Sequence, residues 1–207
     1  IVVLTQSLLG NTGNSTVTSN TISGFSTTAG GSPVGMSLGS GAGASGILDV
    51  SASLNVVSGL SSSLAGATAV GIGVNISPRT AKIFRNRVYD IQITGGTGTV
   101  KGISAGGVTN DVYNNLVGDL RAPAATSTTI PNVIGLEAAA QIASSNVVNY
   151  SYNTVQIEGT SSGASFATLR GCPRTTRSAR WYVPAPRPIA RLSDGRLSSA
   201  VADGASR

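Results

Sequence analysis

One asparagine returns along this chain in a constant setting, and few folds can use such a residue at such intervals. Five segments share the form apolar-x-x-N-x-[IV]-x-[GD]-[FLI]. They are V-T-S-N-T-I-S-G-F (17–25), A-S-L-N-V-V-S-G-L (52–60), I-F-R-N-R-V-Y-D-I (83–91), V-Y-N-N-L-V-G-D-L (112–120) and Y-S-Y-N-T-V-Q-I-E (150–158). The fifth departs at its last two positions. The asparagines, Asn20, Asn55, Asn86, Asn115 and Asn153, are 35, 31, 29 and 38 residues apart. A second mark keeps step between them: V-G-M-S-L (34–38), V-G-I-G-V (70–74), K-G-I-S-A (101–105) and I-G-L-E-A (134–138). Its glycines, Gly35, Gly71, Gly102 and Gly135, are 36, 31 and 33 apart.

Period-2 alternation puts Ile22, Val57, Val88, Val117 and Val155 on one face of a short strand. Met36, Ile72, Ile103 and Leu136 do the same on a second strand. A coil this short cannot bury its own apolar face, but stacked coils bury a continuous column at about 25 cal/mol per Å². The repeated asparagine fits a tight bend that needs left-handed backbone, and its side chains can bond up the stack as a ladder. The fold expected over residues 15–160 is a parallel β-helix of about five coils. Its right-handed sense follows from the general preference of parallel crossovers.

Unequal spacing means unequal coils. The surplus is expected in polar stretches such as Ser26–Ser32, Ser61–Thr68 and Arg121–Pro131, read as projecting loops. Ankyrin, tetratricopeptide and HEAT repeats have similar periods but need a 3.6-residue pattern, which is missing here. A β-sandwich would account for the strands but not for the regular asparagine.

The segments V-Y-N-N-L-V-G-D-L and Y-N-T-V-Q-I-E-G-T-S-S-G-A-S-F resemble the large secreted β-strand-repeat proteins of Bacteroidetes-type bacteria. The resemblance covers about residues 15–167. It implies a right-handed parallel β-helix in an exported protein, often carrying a C-terminal sorting domain. It is diagnostic of fold and not of activity.

Charge divides the chain in two. Residues 1–167 balance Arg79, Lys82, Arg85, Arg87, Lys101 and Arg121 against Asp49, Asp90, Asp111, Asp119, Glu137 and Glu158. Residues 168–207 hold eight Arg and two Asp, which accounts for the whole net charge of +6. The body therefore lacks the clustered basic patch of a nucleic-acid binder, and no nucleic-acid partner is expected. The absence of His removes His-based triads and His-ligated metals. The apolar run from Leu64 to Val74 is too short to span a bilayer. The chain opens at Ile1 without a charged leader, so it is expected to be a fragment or a processed form.

The domain division places a β-helix repeat region at 1–167 and an Arg/Pro-rich tail at 168–207. The tail holds the only Cys (Cys172), the only Trp (Trp181) and none of the repeat. One reading is translation out of frame, since Arg, Ala, Pro, Gly and Ser without Lys or Asn suit a GC-rich gene read in a wrong frame. The other is a genuine basic tail. Both predict disorder.

Three groups of residues invite a chemical role. Asp90 and Asp119 fill the same slot in neighbouring coils, roughly 5 Å apart if stacked. That pair suits a glycosidase acid and nucleophile, with Arg87 as a candidate base in a lyase. The simpler reading is a turn, because the slot holds Gly24 and Gly59 in earlier coils. Phe84, Arg85, Arg87, Tyr89 and Tyr113 form an aromatic and basic set around Asn86, suited to sugar rings or an acidic polysaccharide. The simpler reading is a stacked aromatic pair beside solvated arginines. Lys101 stands where other copies have Val34, Val70 and Ile134, which suggests a register shift or a frayed coil. Glycine-rich runs at 39–46 and 94–99 lack the Gly-Lys-[Ser/Thr] ending of a phosphate loop and read as turns.

The function expected is an extracellular or cell-surface segment with a structural, adhesive or loop-display role and no catalysis, metal or cofactor. The alternative is a polysaccharide-binding or polysaccharide-cleaving β-helix, a lyase or glycoside hydrolase, using Arg85, Arg87, Tyr89, Asp90, Tyr113 and Asp119. Partners would be polysaccharide or cell-surface components. Oligomeric state is left open.

Overall fold

The structure, a computed structural model, describes residues 14–28, 31–39, 48–74, 78–106, 109–124, 132–139 and 147–157. The tail at 168–207 and its proposed disorder lie outside the described residues.

The chain winds through the same four strands in each coil. The first coil has β1 (Asn14–Thr18), β2 (Thr21–Ile22), β3 (Phe25–Thr27) and β4 (Val34–Leu38). The second has β5 (Leu48–Ser53), β6 (Val56–Val57), β7 (Leu60–Ser62) and β8 (Thr68–Val74). The third has β9 (Pro78–Phe84), β10 (Arg87–Val88), β11 (Ile91–Ile93) and β12 (Thr99–Ala105). The fourth has β13 (Thr109–Tyr113), β14 (Leu116–Gly118), β15 (Leu120–Arg121) and β16 (Val133–Ala138). Strands β17 (Val147–Ser151) and β18 (Thr154–Gln156) begin a fifth. Equivalent strands pair in parallel, giving a first sheet β1-β5-β9-β13-β17 and a second β2-β6-β10-β14-β18. The third and fourth are β3-β7-β11-β15 and β4-β8-β12-β16. The protein is an all-β parallel solenoid. Its coils are slightly fewer than the five expected, since the fifth is described only over its first half.

Apart from β3, which has no buried residue, the strands turn one face into a shared interior. Val57, Val88 and Val117 are fully buried in the second sheet, with Ile22 and Val155 at the ends nearly so. Met36, Ile72 and Ile103 form the matching column of the fourth. Both columns follow the alternation expected from the sequence. The fourth sheet adds a detail that simple alternation misses. In β12, Val100, Gly102, Ile103 and Ala105 are buried while Lys101 and Ser104 are not, so the inward phase reverses at the glycine. The same reversal occurs at Gly71 in β8.

Those glycines are required by the opposite wall. A β-carbon on Gly35 would overlap the γ1 methyl of Val57, and one on Gly71 that of Val88. Gly102 stands in the same relation to Val117, and Gly135 to Val155. The two sequence marks are thus one packing unit: the [IV] position of each coil fills the space left by the glycine of the coil before.

The asparagine column turns the corner between the first and second sheets. Asn55 Oδ1 accepts from the backbone N–H and from Nδ2 of Asn20, both at 3.0 Å. Asn86 does this for Asn55, Asn115 for Asn86 and Asn153 for Asn115. The second Nδ2 proton of Asn55, Asn86 and Asn115, and one Nδ2 proton of Asn153, each go back to a carbonyl of the preceding coil, on Val17, Ala52, Ile83 and Val112. Both amide protons and both carbonyl lone pairs are used, so the buried Asn55, Asn86 and Asn115 are fully satisfied.

The left-handed residue at this corner is the one before each asparagine, contrary to expectation. Ser19, Leu54, Arg85, Asn114 and Tyr152 have φ between 54° and 57°. The column asparagine is held by its ladder bonds, so the reversal falls on its neighbour. A left-handed Leu, Arg or Tyr costs roughly 1–3 kcal/mol, and the ladder on one side of it makes the conformation obligatory.

Length varies at only two of the four corners. The first-to-second corner spans residues 19–20, 54–55, 85–86, 114–115 and 152–153. The third-to-fourth connections are 28–33, 63–67, 94–98 and 122–132. Those from the fourth sheet to the next coil are 39–47, 75–77, 106–108 and 139–146. The expected surplus at Arg121–Pro131 falls on the longest of the third-to-fourth connections, most of it outside the described residues. Ser61–Thr68 is an ordinary corner. The long connections 39–47 and 139–146 complete the variation.

Candidate functional site

The second sheet presents its outer face through positions that alternate with the buried valines. Arg87 is in register with Val56 on one side and Leu116 on the other, and Leu116 with Thr154. Two residues further along each strand come Tyr89, Gly118 and Gln156, with Gly118 paired to Gln156. Arg87, Tyr89, Leu116, Gly118, Asp119 and Gln156 line an open depression of about 270 Å³. Its origin is local: Gly118 carries no side chain where the coils beside it carry Tyr89 and Gln156. Nothing in the packing demands that glycine. A β-carbon there would meet Gln156 at 3.5 and 3.9 Å, ordinary contact, and the backbone is not left-handed.

The groups in the depression are chemically mixed. The Arg87 guanidinium lies 5.5 Å from the centre of the Tyr89 ring, a cation–π distance. Leu116 is 44% exposed although it sits mid-sheet. Arg85, at the left-handed corner beside it, is also exposed. Among the described residues neither Arg85 nor Arg87 has a carboxylate partner.

Asp90 and Asp119 occupy the corner between the second and third sheets. Their φ angles of 55° and 47° continue those of Gly24 and Gly59, 74° and 63°. The slot is therefore a left-handed turn in all four coils, the role its Gly/Asp composition implies. Arg121 stands between the two carboxylates, hydrogen-bonding Asp90 through Nη2 and holding Nε 3.0 Å from Asp119 as an ion pair without hydrogen-bond geometry. Both acids are thus engaged by one guanidinium. Arg121 was not among the residues singled out from sequence; its signal is its position, two residues beyond Asp119 and one coil from Gln92.

The aromatic and basic set is divided by the corner. Phe84 and Tyr113 belong to the first sheet, where their rings stack at 5.0 Å and 3°. Arg87 and Tyr89 stand around the asparagine turn on the second sheet. The ring faces that Phe84 and Tyr113 turn toward one another are closed to a ligand. Leu116, Gly118 and Gln156 complete the depression and were not foreseen, because alignment between coils, rather than pattern within one, brings them beside Tyr89.

Lys101 keeps its register, opposite Val70 and Ile134, so neither a shift nor a frayed coil occurs there. It points outward and pairs with Glu137 at 2.8 Å, and Ser104 bonds the same carboxylate at 2.6 Å. Among the described residues no three His, Cys, Asp or Glu side chains converge on a point, and no helix is long and apolar enough to cross a membrane. No protein-family model matches the chain, and no curated protein or solved structure matches it.

Proposed function

We propose that this chain is a segment of an extracellular or cell-surface solenoid that acts as a rigid scaffold, displaying loops or contributing to adhesion without catalysis. The observation that carries this reading is the place where coil length varies. The asparagine corner keeps its two residues in every coil, while both corners that flank the fourth sheet accept extra chain. A ladder that uses both amide protons and both carbonyl lone pairs of Asn55, Asn86 and Asn115 tolerates no insertion. Insertions at the other corners leave the core columns intact and gather along the two edges of one sheet. The resemblance of the repeat to secreted β-strand-repeat proteins supports export, with cell-surface components as partners.

Two measurements test the two halves of the proposal. An epitope inserted between Gly43 and Ala44, or between Ala125 and Thr126, is expected to leave cooperative unfolding in place. The same insert between Arg85 and Asn86 is expected to abolish it. Unfolding by the first pair would end the loop-display reading. Antibodies to the chain are expected to label intact cells of the source or to find it in the medium. Recovery from the cytosol alone would end the surface reading.

A further inference from the structure

We propose that the depression over Gly118 is a binding slot for one carboxylated sugar ring of an acidic polysaccharide. This goes beyond scaffolding and does not depend on loop display.

The slot has the width of one ring. Tyr89, Gly118 and Gln156 are equivalent outward positions of three successive coils. With the middle side chain missing, the two walls stand two strand spacings apart, about 10 Å. A planar or puckered six-membered ring fits between them and a second does not. Tyr89 offers an aromatic wall for the C–H face of a sugar, and exposed Leu116 adds an apolar surface beside it. Asp119 and Gln156 stand at the rim.

Charge selects an acidic ring over a neutral one. Along the second sheet and its two corners stand three arginines, Arg85, Arg87 and Arg121, and two aspartates, Asp90 and Asp119, leaving one positive charge in excess. The aspartates are both taken by Arg121, so the excess rests on Arg85 and Arg87. Arg87 lines the slot itself, and its contact with Tyr89 pre-orients the guanidinium. A guanidinium binds a carboxylate through two parallel N–H bonds, which a neutral sugar cannot return.

The test uses the full chain and three polymers: polygalacturonate, neutral dextran and sulfated heparin, followed by affinity electrophoresis and calorimetry. Gly118→Leu fills the slot, Arg87→Ala removes its cation, and Lys82→Ala removes an exposed cation on the first sheet as a control. Retention of thermal unfolding midpoint and circular dichroism establishes that each variant folds. The expected result is binding to polygalacturonate that drops at least tenfold in Gly118→Leu and in Arg87→Ala and is unchanged in Lys82→Ala, with no binding to dextran. Binding that survives either slot variant would assign the polymer to another surface, residues 168–207 included, and overturn the proposal. So would equal binding to dextran, equal loss in Lys82→Ala, or no binding to polygalacturonate at millimolar ring concentration. Heparin retention that is insensitive to Gly118→Leu marks the electrostatic background against which the tenfold loss is read; heparin and polygalacturonate behaving alike in all variants would also overturn it.

Discussion

The γ1 methyl of Val88 occupies the place that a β-carbon on Gly71 would need. Gly71 lies on the fourth sheet of one coil and Val88 on the second sheet of the next, so the contact crosses the interior and advances by one coil. Repeated at Gly35–Val57, Gly102–Val117 and Gly135–Val155, it ties the two walls of the solenoid together.

Gly71→Ala should therefore overpack the core. The added methyl meets both Val88 and the carbonyl of Gly102, 2.6 Å away, and the backbone cannot withdraw without breaking the ladder of β8 with β12. A loss of about 2 kcal/mol is expected in urea unfolding. Adding Val88→Ala should return part of it, so that the double variant is less destabilised than the sum by more than about 0.5 kcal/mol. Strict additivity would mean that the two residues do not share the space.

Asn86→Ala should cost far more than Asn20→Ala. Asn86 accepts two bonds from Asn55 and donates to Ala52 and Asn115, all buried. Its removal strands donors and acceptors in the interior, and about 3 kcal/mol or more should be lost. Asn20 is exposed at the first rung, where water replaces the lost bonds, and about 1 kcal/mol or less is expected. Equal midpoints for the two variants would contradict the ladder as the source of corner stability.

Asn110→Val should stabilise the protein. The Asn110 side chain is fully buried in the first sheet, and among the described residues neither its oxygen nor its nitrogen has a hydrogen-bond partner. It stands in register with Ala81 and Val148, where an apolar side chain belongs. Removing an unsatisfied amide should recover about 1–3 kcal/mol. A lower unfolding temperature in this variant would show that Asn110 has a role its neighbours do not reveal.

Asp90→Gly and Asp119→Gly should both fold with stability within about 1 kcal/mol of the parent. Glycine relieves the left-handed backbone at each position, offsetting the loss of one partly exposed pair to Arg121. Denaturant midpoints check this, and collapse of the fold would mean that the carboxylates do more than turn the chain and hold Arg121.

The sequence by itself determined the repeat, the parallel solenoid and the inward faces of Ile22, Val57, Val88, Met36 and Ile72. These follow from alternation along single strands and from residues recurring once per coil, both of which are local and additive. It also placed the asparagines in one column and the Gly/Asp slot in one turn. What happens between coils and around corners was decided only by the tertiary structure. The left-handed residue is the neighbour of each asparagine because the ladder holds the asparagine itself. Lys101 stays in register because Glu137 of the next coil meets it. Phe84 and Tyr113 are parted from Arg87 and Tyr89 because the corner turns between them. The Gly118 slot exists because three coils of unequal length align Tyr89, Gly118 and Gln156, an alignment set by the packing of valine columns and legible in no single copy of the repeat.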